Sequence, residues 1–304
     1  MNELRLKAVK HLAMRVGSSP EELLRICREI TETPERHYFE WIKTCRGGKR
    51  RPMVKVREQL REILERLKVL LQRIELPEYV HGGVRGHSTY TNARPHMGKR
   101  VVLCTDLENH FPRVSPRKVY AMFRREQECA PEVARILTRL TTLNGGLPQG
   151  SPTSTAVSNL VTLNLSKRLH GFARARGAAC TQYVDDYAFS GGRRVARCKE
   201  QVVRIAAQEG FKINVAKTKS TSADREQIVT GIKVNGRQGD VPRKKVKEVR
   251  RELSELGEKL RLGERPSARV MRSIAGKIRY VKQLNRGCGA FLERQLLRVT
   301  MRER

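Results

Sequence analysis

Long apolar runs are missing from this chain. Across 304 residues no stretch approaches the roughly 20 apolar residues that cross a bilayer as a helix, so no membrane partner is expected. The start, Met1 to Gly17, alternates Leu and Val with Arg and Lys and includes Glu3, so it reads as an amphipathic helix and not as a signal peptide. Metal-binding and disulfide patterns are missing too. The seven cysteines are odd in number without C-x-x-C spacing, which argues for reduced thiols in the cytoplasm and against a zinc site. The seven histidines have no metal-ligand spacing, and there is no internal repeat or low-complexity tract. Negative charge is scarce: 31 Asp+Glu stand against 63 Lys+Arg, a formal net charge of +32. Charge of that size destabilises a compact state unless a polyanion shares it, so nucleic acid is the expected partner, with a steep dependence on salt.

What is present begins with helices. Ser18-Ser19-Pro20-Glu21-Glu22 is a helix start, with a hydroxyl cap, proline in the first turn and acids facing the positive helix end. A second helix is expected from about Arg57 to Ile74, with Leu60, Ile63, Leu64, Leu67 and Leu71 on one face. Between them, Cys45 to Pro52 is a glycine turn packed with cations, followed by the β-like Met53 to Val56. It suits a hairpin that grips phosphates, or else a solvated basic loop.

From Lys99 to Asn235 the pattern becomes α/β. A strand at 101–106 leads to a helix opened by Ser115-Pro116. A loop at 143–152 leads into a helix of about twenty residues. A hairpin at 178–190, a helix near 195–209 and strands near 211–215 and 228–234 follow. Beyond Asp240 the chain turns helical and basic, with 19 Lys+Arg against 7 Asp+Glu, a net of +12. Two amphipathic helices are expected there, one carrying Val246, Val249, Leu253, Leu256 and Leu260.

The most informative residues are Tyr183-Val184-Asp185-Asp186, two adjacent acids between β-prone stretches. Neighbouring carboxylates repel, and burying both requires a cation. A third acid, Asp106, ends the buried run Val101 to Thr105. Three carboxylates from two strand ends are what a pair of oxygen-seeking Mg²⁺ ions needs. The plainer reading is a strand end and a solvated acidic turn with no joint purpose.

Together these pieces resemble the reverse transcriptases, from about Arg46 to Asn235 and in that family's order. Asp106-Leu107-Glu108-Asn109-His110-Phe111 is similar to the first catalytic-acid motif, Leu147 to Pro152 to the template and nucleotide motif, and Tyr183 to Asp186 to the second acid motif. Gly210 to Asn214 through Lys217-Thr218 resembles the next motif, which ends in a lysine. The resemblance implies an α+β right hand: N-terminal helices and fingers at 1–98, a palm on an antiparallel sheet at 99–239, and a basic helical thumb at 240–304. It also implies two-metal nucleotidyl transfer with Mg²⁺, for which Mn²⁺ can substitute. Asp106 and Asp185 would be ligands, Asp186 a member of the site, and the Leu107 carbonyl a further oxygen.

The same resemblance assigns the surrounding residues. Lys49 and Arg51 would hold the triphosphate. Phe111 would exclude a 2′-hydroxyl by clash, where the plain alternative is a core ring. Gln149 would supply an amide, and Gly150 a backbone without Cβ. Lys217, with Lys219 in competition, would serve the pyrophosphate. Ser151 and Tyr183 would touch template and primer.

Two further strings resemble signatures of retron reverse transcriptases. They are Asn92-Ala93-Arg94-Pro95-His96 and Val229-Thr230-Gly231. This implies that the enzyme copies a structured non-coding RNA of its own locus from a guanosine 2′-hydroxyl. The product would be a branched RNA–DNA, called msDNA. The thumb, with Arg243, Lys244 and Lys247, would read that RNA, and the complex would restrain an effector protein in anti-phage defence. The expected thumb takes up the last residues, 240–304, and no ribonuclease H domain is expected, so a host ribonuclease H is expected to remove template RNA. The alternatives are an intron-type or diversity-generating reverse transcriptase, and a non-catalytic RNA-binding scaffold or antitoxin.

Overall fold

The computed structural model describes residues 3–45, 48 and 50–301. The first helix, α1 (Val9–Val16), is shorter than the sequence suggests, because residues 3–7 approach without helical bonds. At α2 (Pro20–Glu32) the expected start is realised: the Ser19 hydroxyl accepts from the Glu22 amide at 3.1 Å, and Pro20 occupies the first turn. Strands β1 (Tyr38–Thr44) and β2 (Arg50–Val56) form an antiparallel hairpin with Tyr38 opposite Val56. Its inner face buries Tyr38, Val54 and Val56. Phe39, Trp41 and Lys43 share the solvent face with Lys55, Met53 and Arg51. Helix α3 (Glu58–Leu71) buries Leu60, Ile63, Leu64, Leu67 and Leu71, the stripe predicted by periodicity. The short α4 (Thr89–Ala93) is held by a capping box between Ser88 and Thr91.

A four-stranded antiparallel sheet occupies the centre. It contains β3 (Val101–Asp106), β4 (Ala179–Tyr183), β5 (Asp186–Gly191) and β6 (Lys219–Ser222) in the order β4-β5-β3-β6. Between β3 and β4 run α5 (His110–Arg113), α6 (Pro116–Ala121), α7 (Pro131–Thr141), α8 (Ser154–Val161) and α9 (Leu163–Arg174). Helix α10 (Lys199–Gln208) precedes β6. The strand expected near 211–215 is instead an extended segment with one bridge, Leu107 to Ile213. The sheet's last strand lies at 219–222, because Thr221 and Ser220 take up the register with Val102 and Leu103. The expected strand at 228–234 is a tight hairpin, β7 (Ile228–Val229) and β8 (Ile232–Lys233). Thr230 and Gly231, with φ of 46° and 81°, turn it, and that conformation explains why glycine follows Val229-Thr230.

The basic C-terminal part holds three helices where periodicity gave two: α11 (Arg243–Arg261), α12 (Ala268–Leu284) and α13 (Arg286–Met301). Val249, Leu253, Leu256, Ile274, Ile278, Val281 and Leu292 form their own core. A second core lies under the sheet around Leu103, Tyr187 and Phe189. The largest joins the N-terminal helices to residues 114–160. The architecture is therefore α+β, with helical parts on either side of an antiparallel sheet. Among the described residues no helix is long and apolar enough to cross a membrane.

Candidate active site

The pairing of β3 with β5 sets Asp106 directly opposite Asp186. Asp185 lies in the turn before β5, and its carbonyl accepts from the Leu107 amide at 3.0 Å. Two strand ends thus bring three carboxylates into one cavity of about 400 Å³. Its walls also include Leu107, Phe111, Gln149, Arg51 and Lys217. Asp186 is already the first residue of the strand, exposed to the cavity. Loss of hydration pushes its carboxyl up to about 6, and the nearby Asp185 and Asp106 charges add to the shift. Asp185 is raised too, by burial first and by the Asp106 charge, with a backbone hydrogen bond, Lys217 and Arg51 partly offsetting it. Lys217 Nζ lies 2.6 Å from Asp106 Oδ2, while Asp106 Oδ1 is buried without a hydrogen-bond partner. An orphaned carboxylate oxygen among mutually repelling acids fits a divalent cation. Among the described residues no three His, Cys, Asp or Glu side chains already stand at metal-holding separations.

The remaining candidates divide. Phe111 is half-buried, lines the cavity and meets the His110 ring edge-on at 5.5 Å. His110 is buried with Nε2 2.7 Å from Ser158 Oγ, and burial pushes its pKa down to about 4. Gln149 lines the cavity. Gly150, at φ of 117°, is packed against the Val54 carbonyl, so its missing Cβ serves the approach of β2 to this loop. The Val54 amide also donates to the Gln149 carbonyl at 2.8 Å, clasping hairpin and loop together. Ser151 is buried with Oγ 3.3 Å from Thr153 Oγ1, and Tyr183 is half-buried; neither is among the cavity's lining residues. Arg50 and Arg51 both line the cavity, whereas Lys49 lies outside the described residues. Lys217 reaches the acids, and Lys219 sits on β6 opposite Cys104.

Asn92, Val229, Thr230 and Gly231 meet at a second cavity of about 300 Å³, which shares Asp106, Asp186 and Lys217 with the first. Asn92 Nδ2 donates to Thr230 Oγ1 at 3.3 Å, and Thr230 Oγ1 donates to the Thr89 carbonyl at 3.2 Å. These contacts hold Thr230 in a backbone region that β-branched residues avoid. His96 has no exposed surface. Its ring bridges Ser190 Oγ (2.6 Å) and Thr181 Oγ1 (2.8 Å), and burial lowers its pKa to about 3. Both nitrogens are taken, and the neutral imidazole ties β4 to β5. Val229, also buried, packs with Ala93, Val102 and Ala188. Arg243, Lys244 and Lys247 are exposed at the start of α11.

Sequence reading missed the support beneath the acids. Val184, in the turn, has φ of 59°, a conformation costing a β-branched residue about 1–3 kcal/mol. The buried Gln182 donates to the Val184 carbonyl at 2.9 Å, accepts from Ser166 Oγ at 2.5 Å and donates to Thr162 Oγ1 at 2.9 Å. The signal for Gln182 was a polar residue in a strand otherwise apolar on that face.

The family described as reverse transcriptase (RNA-dependent DNA polymerase) matches residues 43–252. Among curated proteins, the Retron Mx65 reverse transcriptase of Myxococcus xanthus is 34% identical over 220 residues, covering 66% of this chain and 52% of that protein. The Retron Mx162 reverse transcriptase of the same organism is 29% identical over 271 residues, covering 79% and 56%. This chain spans about half the length of these curated relatives. A solved foamy viral protease-reverse transcriptase in complex with ds DNA aligns with a TM-score of 0.49 and 16% identity, over 81% of this chain and 36% of that one. The chain belongs to the reverse transcriptase (RNA-dependent DNA polymerase) family, as a retron-type member.

Proposed function

We propose that this chain is an RNA-directed DNA polymerase that copies a structured non-coding RNA of its own locus into branched msDNA. The observation that carries the reading is the meeting of Asp106, Asp185 and Asp186 with Arg51, Phe111, Gln149 and Lys217 around one cavity. A scaffold that only binds RNA has no use for three crowded carboxylates in a basic cleft. Asp106, Asp185 and Asp186 would hold two Mg²⁺ ions, or Mn²⁺ in their place, with the Leu107 carbonyl as a further oxygen. When bound, these ions lower the pKa of the primer hydroxyl and neutralise the triphosphate and departing pyrophosphate.

The chain's own residues supply the rest. The Lys217 ammonium stands against Asp106 as a built-in cation and turns to the pyrophosphate, where it can give up a proton. Arg51, with Lys49 two residues before it in sequence, grips triphosphate oxygens of the dNTP. The Phe111 ring leaves no room for a 2′-hydroxyl, Gln149 offers its amide, and Tyr183 and Ser151 steady primer and template through the elements they belong to. The second cavity, with Asn92, Thr230 and Gly231, adjoins the same acids and suits the start of synthesis from RNA.

The C-terminal part's own apolar core, and a first core that takes in residues 114–160 with the N-terminal helices, support a division into N-terminal helices and fingers (1–98), palm with an interleaved fingers part (99–239) and thumb (240–304). Helix α11 opens on Arg243-Lys244-Lys245 with no acid in its first turn, against the positive end of its dipole. That arrangement is unfavourable alone and favourable beside phosphates, which fits a thumb that reads the cognate RNA. The nucleoprotein would restrain an effector from the same locus in anti-phage defence, and a host ribonuclease H would trim the template. Sequencing nucleic acid that co-purifies with the protein tests the reading. One RNA covalently joined to complementary DNA is expected; RNA alone, of mixed sequence, contradicts it.

A further inference from the structure

The glycine-rich segment before α4 has no role in the reading so far, yet it touches the catalytic turn. Residues 79–82 run beside β4, the edge strand of the sheet. The Gln182 amide donates to the Tyr79 carbonyl at 2.7 Å, and the His81 amide to the Gln182 carbonyl at 2.8 Å, a parallel bridge centred on Val80. The chain then passes so close to the turn that a Cβ on Gly82 would lie 2.5 Å from Val184 N, 2.6 Å from Val184 Cγ2 and 2.9 Å from Tyr183 C. Two of those three atoms are backbone, so no side-chain rotation relieves the overlap. Gly82 cannot back away either, because its carbonyl accepts from Asn159 Nδ2 at 2.7 Å in a buried contact with α8.

Val184 is therefore enclosed. Gln182 holds its carbonyl from within the sheet, and the Gly82 peptide closes the outer side. This matters because Val184 sits in the left-handed region, which a β-branched side chain leaves unless its surroundings forbid it. If Val184 relaxed, the next residue would turn with it. That residue is Asp185, whose carbonyl is tied to the Leu107 amide beside Asp106.

We propose that residues 79–83 brace the turn that carries Asp185, with Gly82 as the positioning residue that keeps Val184 left-handed and Asp185 in register with Asp106. The proposal rests on the polymerase reading only for its activity readout. A Cβ at residue 82 would displace the turn by about an ångström, and a misplacement of that size costs on the order of 100-fold in rate.

The experiment compares Gly82→Ala, Asn159→Ala and Gly171→Ala in the full chain; Gly171 has nothing near its would-be Cβ and serves as control. Gly82→Ala should lower kcat of primer extension about 100-fold, with KM for dNTP within about threefold of wild type. RNA affinity should hold. Amide hydrogen exchange in residues 179–187 should accelerate in Gly82→Ala and not in Gly171→Ala. Adding Val184→Gly, which removes both the strain and one clash, should recover part of the lost rate. Should Gly82→Ala fail to fold, Asn159→Ala decides, because it only frees the Gly82 carbonyl; about a tenfold loss of kcat is expected. Wild-type kcat in the folded Gly82→Ala chain overturns the brace, as does unchanged exchange across 179–187. If wild-type protein itself makes no DNA, the polymerase reading fails, and exchange alone still decides the brace.

Discussion

At Asp186 the fold holds a charge it would prefer to neutralise. Lost hydration first, then the Asp185 and Asp106 charges, push its carboxyl up to about 6, against about 4 in an unfolded chain. The folded state therefore binds the proton more readily than the unfolded one. Its penalty is full above pH 6 and fades as pH falls towards 4. Asp186→Asn should raise the thermal midpoint of metal-free protein at pH 7.5 and change it much less at pH 4.5. Equal effects at both pH values, measured by calorimetry, contradict the assignment. Phe111 offers a second test, since Phe111→Ala opens room for a 2′-hydroxyl. Competition between ribo- and deoxyribonucleotides should show discrimination falling by tenfold or more, on the order expected when a steric clash is removed. Unchanged preference would make Phe111 a packing residue. The acids and this ring were legible in the sequence because each belongs to a short motif with fixed spacing. Gly82 was not: its close approach joins residues about a hundred positions apart, which no local pattern encodes. His96 was legible as part of a signature, but its burial was not, since that depends on Ser190 and Thr181 arriving from β5 and β4.

Among the elements, those with strong periodicity or caps came through well, as with α2, α3, β3 and the β4–β5 hairpin. The segment at 211–215 pairs only briefly, through the Leu107–Ile213 bridge past the end of β3, while Phe211 and Ile213 pack into the core under the sheet; the ladder with β3 is made by 219–222 instead. Helix α13 escaped notice because its apolar residues are spread around the helix, with Leu297 and Met301 exposed. The proposed thumb role turns on α11. Charge reversal by Arg243→Glu, Lys244→Glu and Lys247→Glu sets three acids at the helix's positive end, so the helix itself should persist. Self-primed synthesis on the cognate RNA should fall by tenfold or more, while extension of a supplied primer on an unrelated template falls less. Equal loss in both assays, run at matched salt, would leave these residues as a general electrostatic clamp.

The molecule as a whole carries +32 with few carboxylates to balance it, and its cations run along the whole chain. RNA affinity should fall steeply with salt, by about 10³–10⁵ between roughly 50 and 200 mM if six to ten phosphates are contacted. A shallow slope in filter-binding measurements would contradict an extended phosphate interface. Amid that positive field, three acids meet at the ends of the sheet's two central strands, and the proposed chemistry stands on them. The most direct test is extension of a primer on an RNA template with dNTPs and Mg²⁺, by wild type and by Asp185→Asn, with RNA affinity measured on both. Wild type should make DNA, Asp185→Asn should lose on the order of 10³-fold or more in rate, and RNA binding should be nearly unchanged. Wild-type extension by Asp185→Asn would contradict the proposed chemistry.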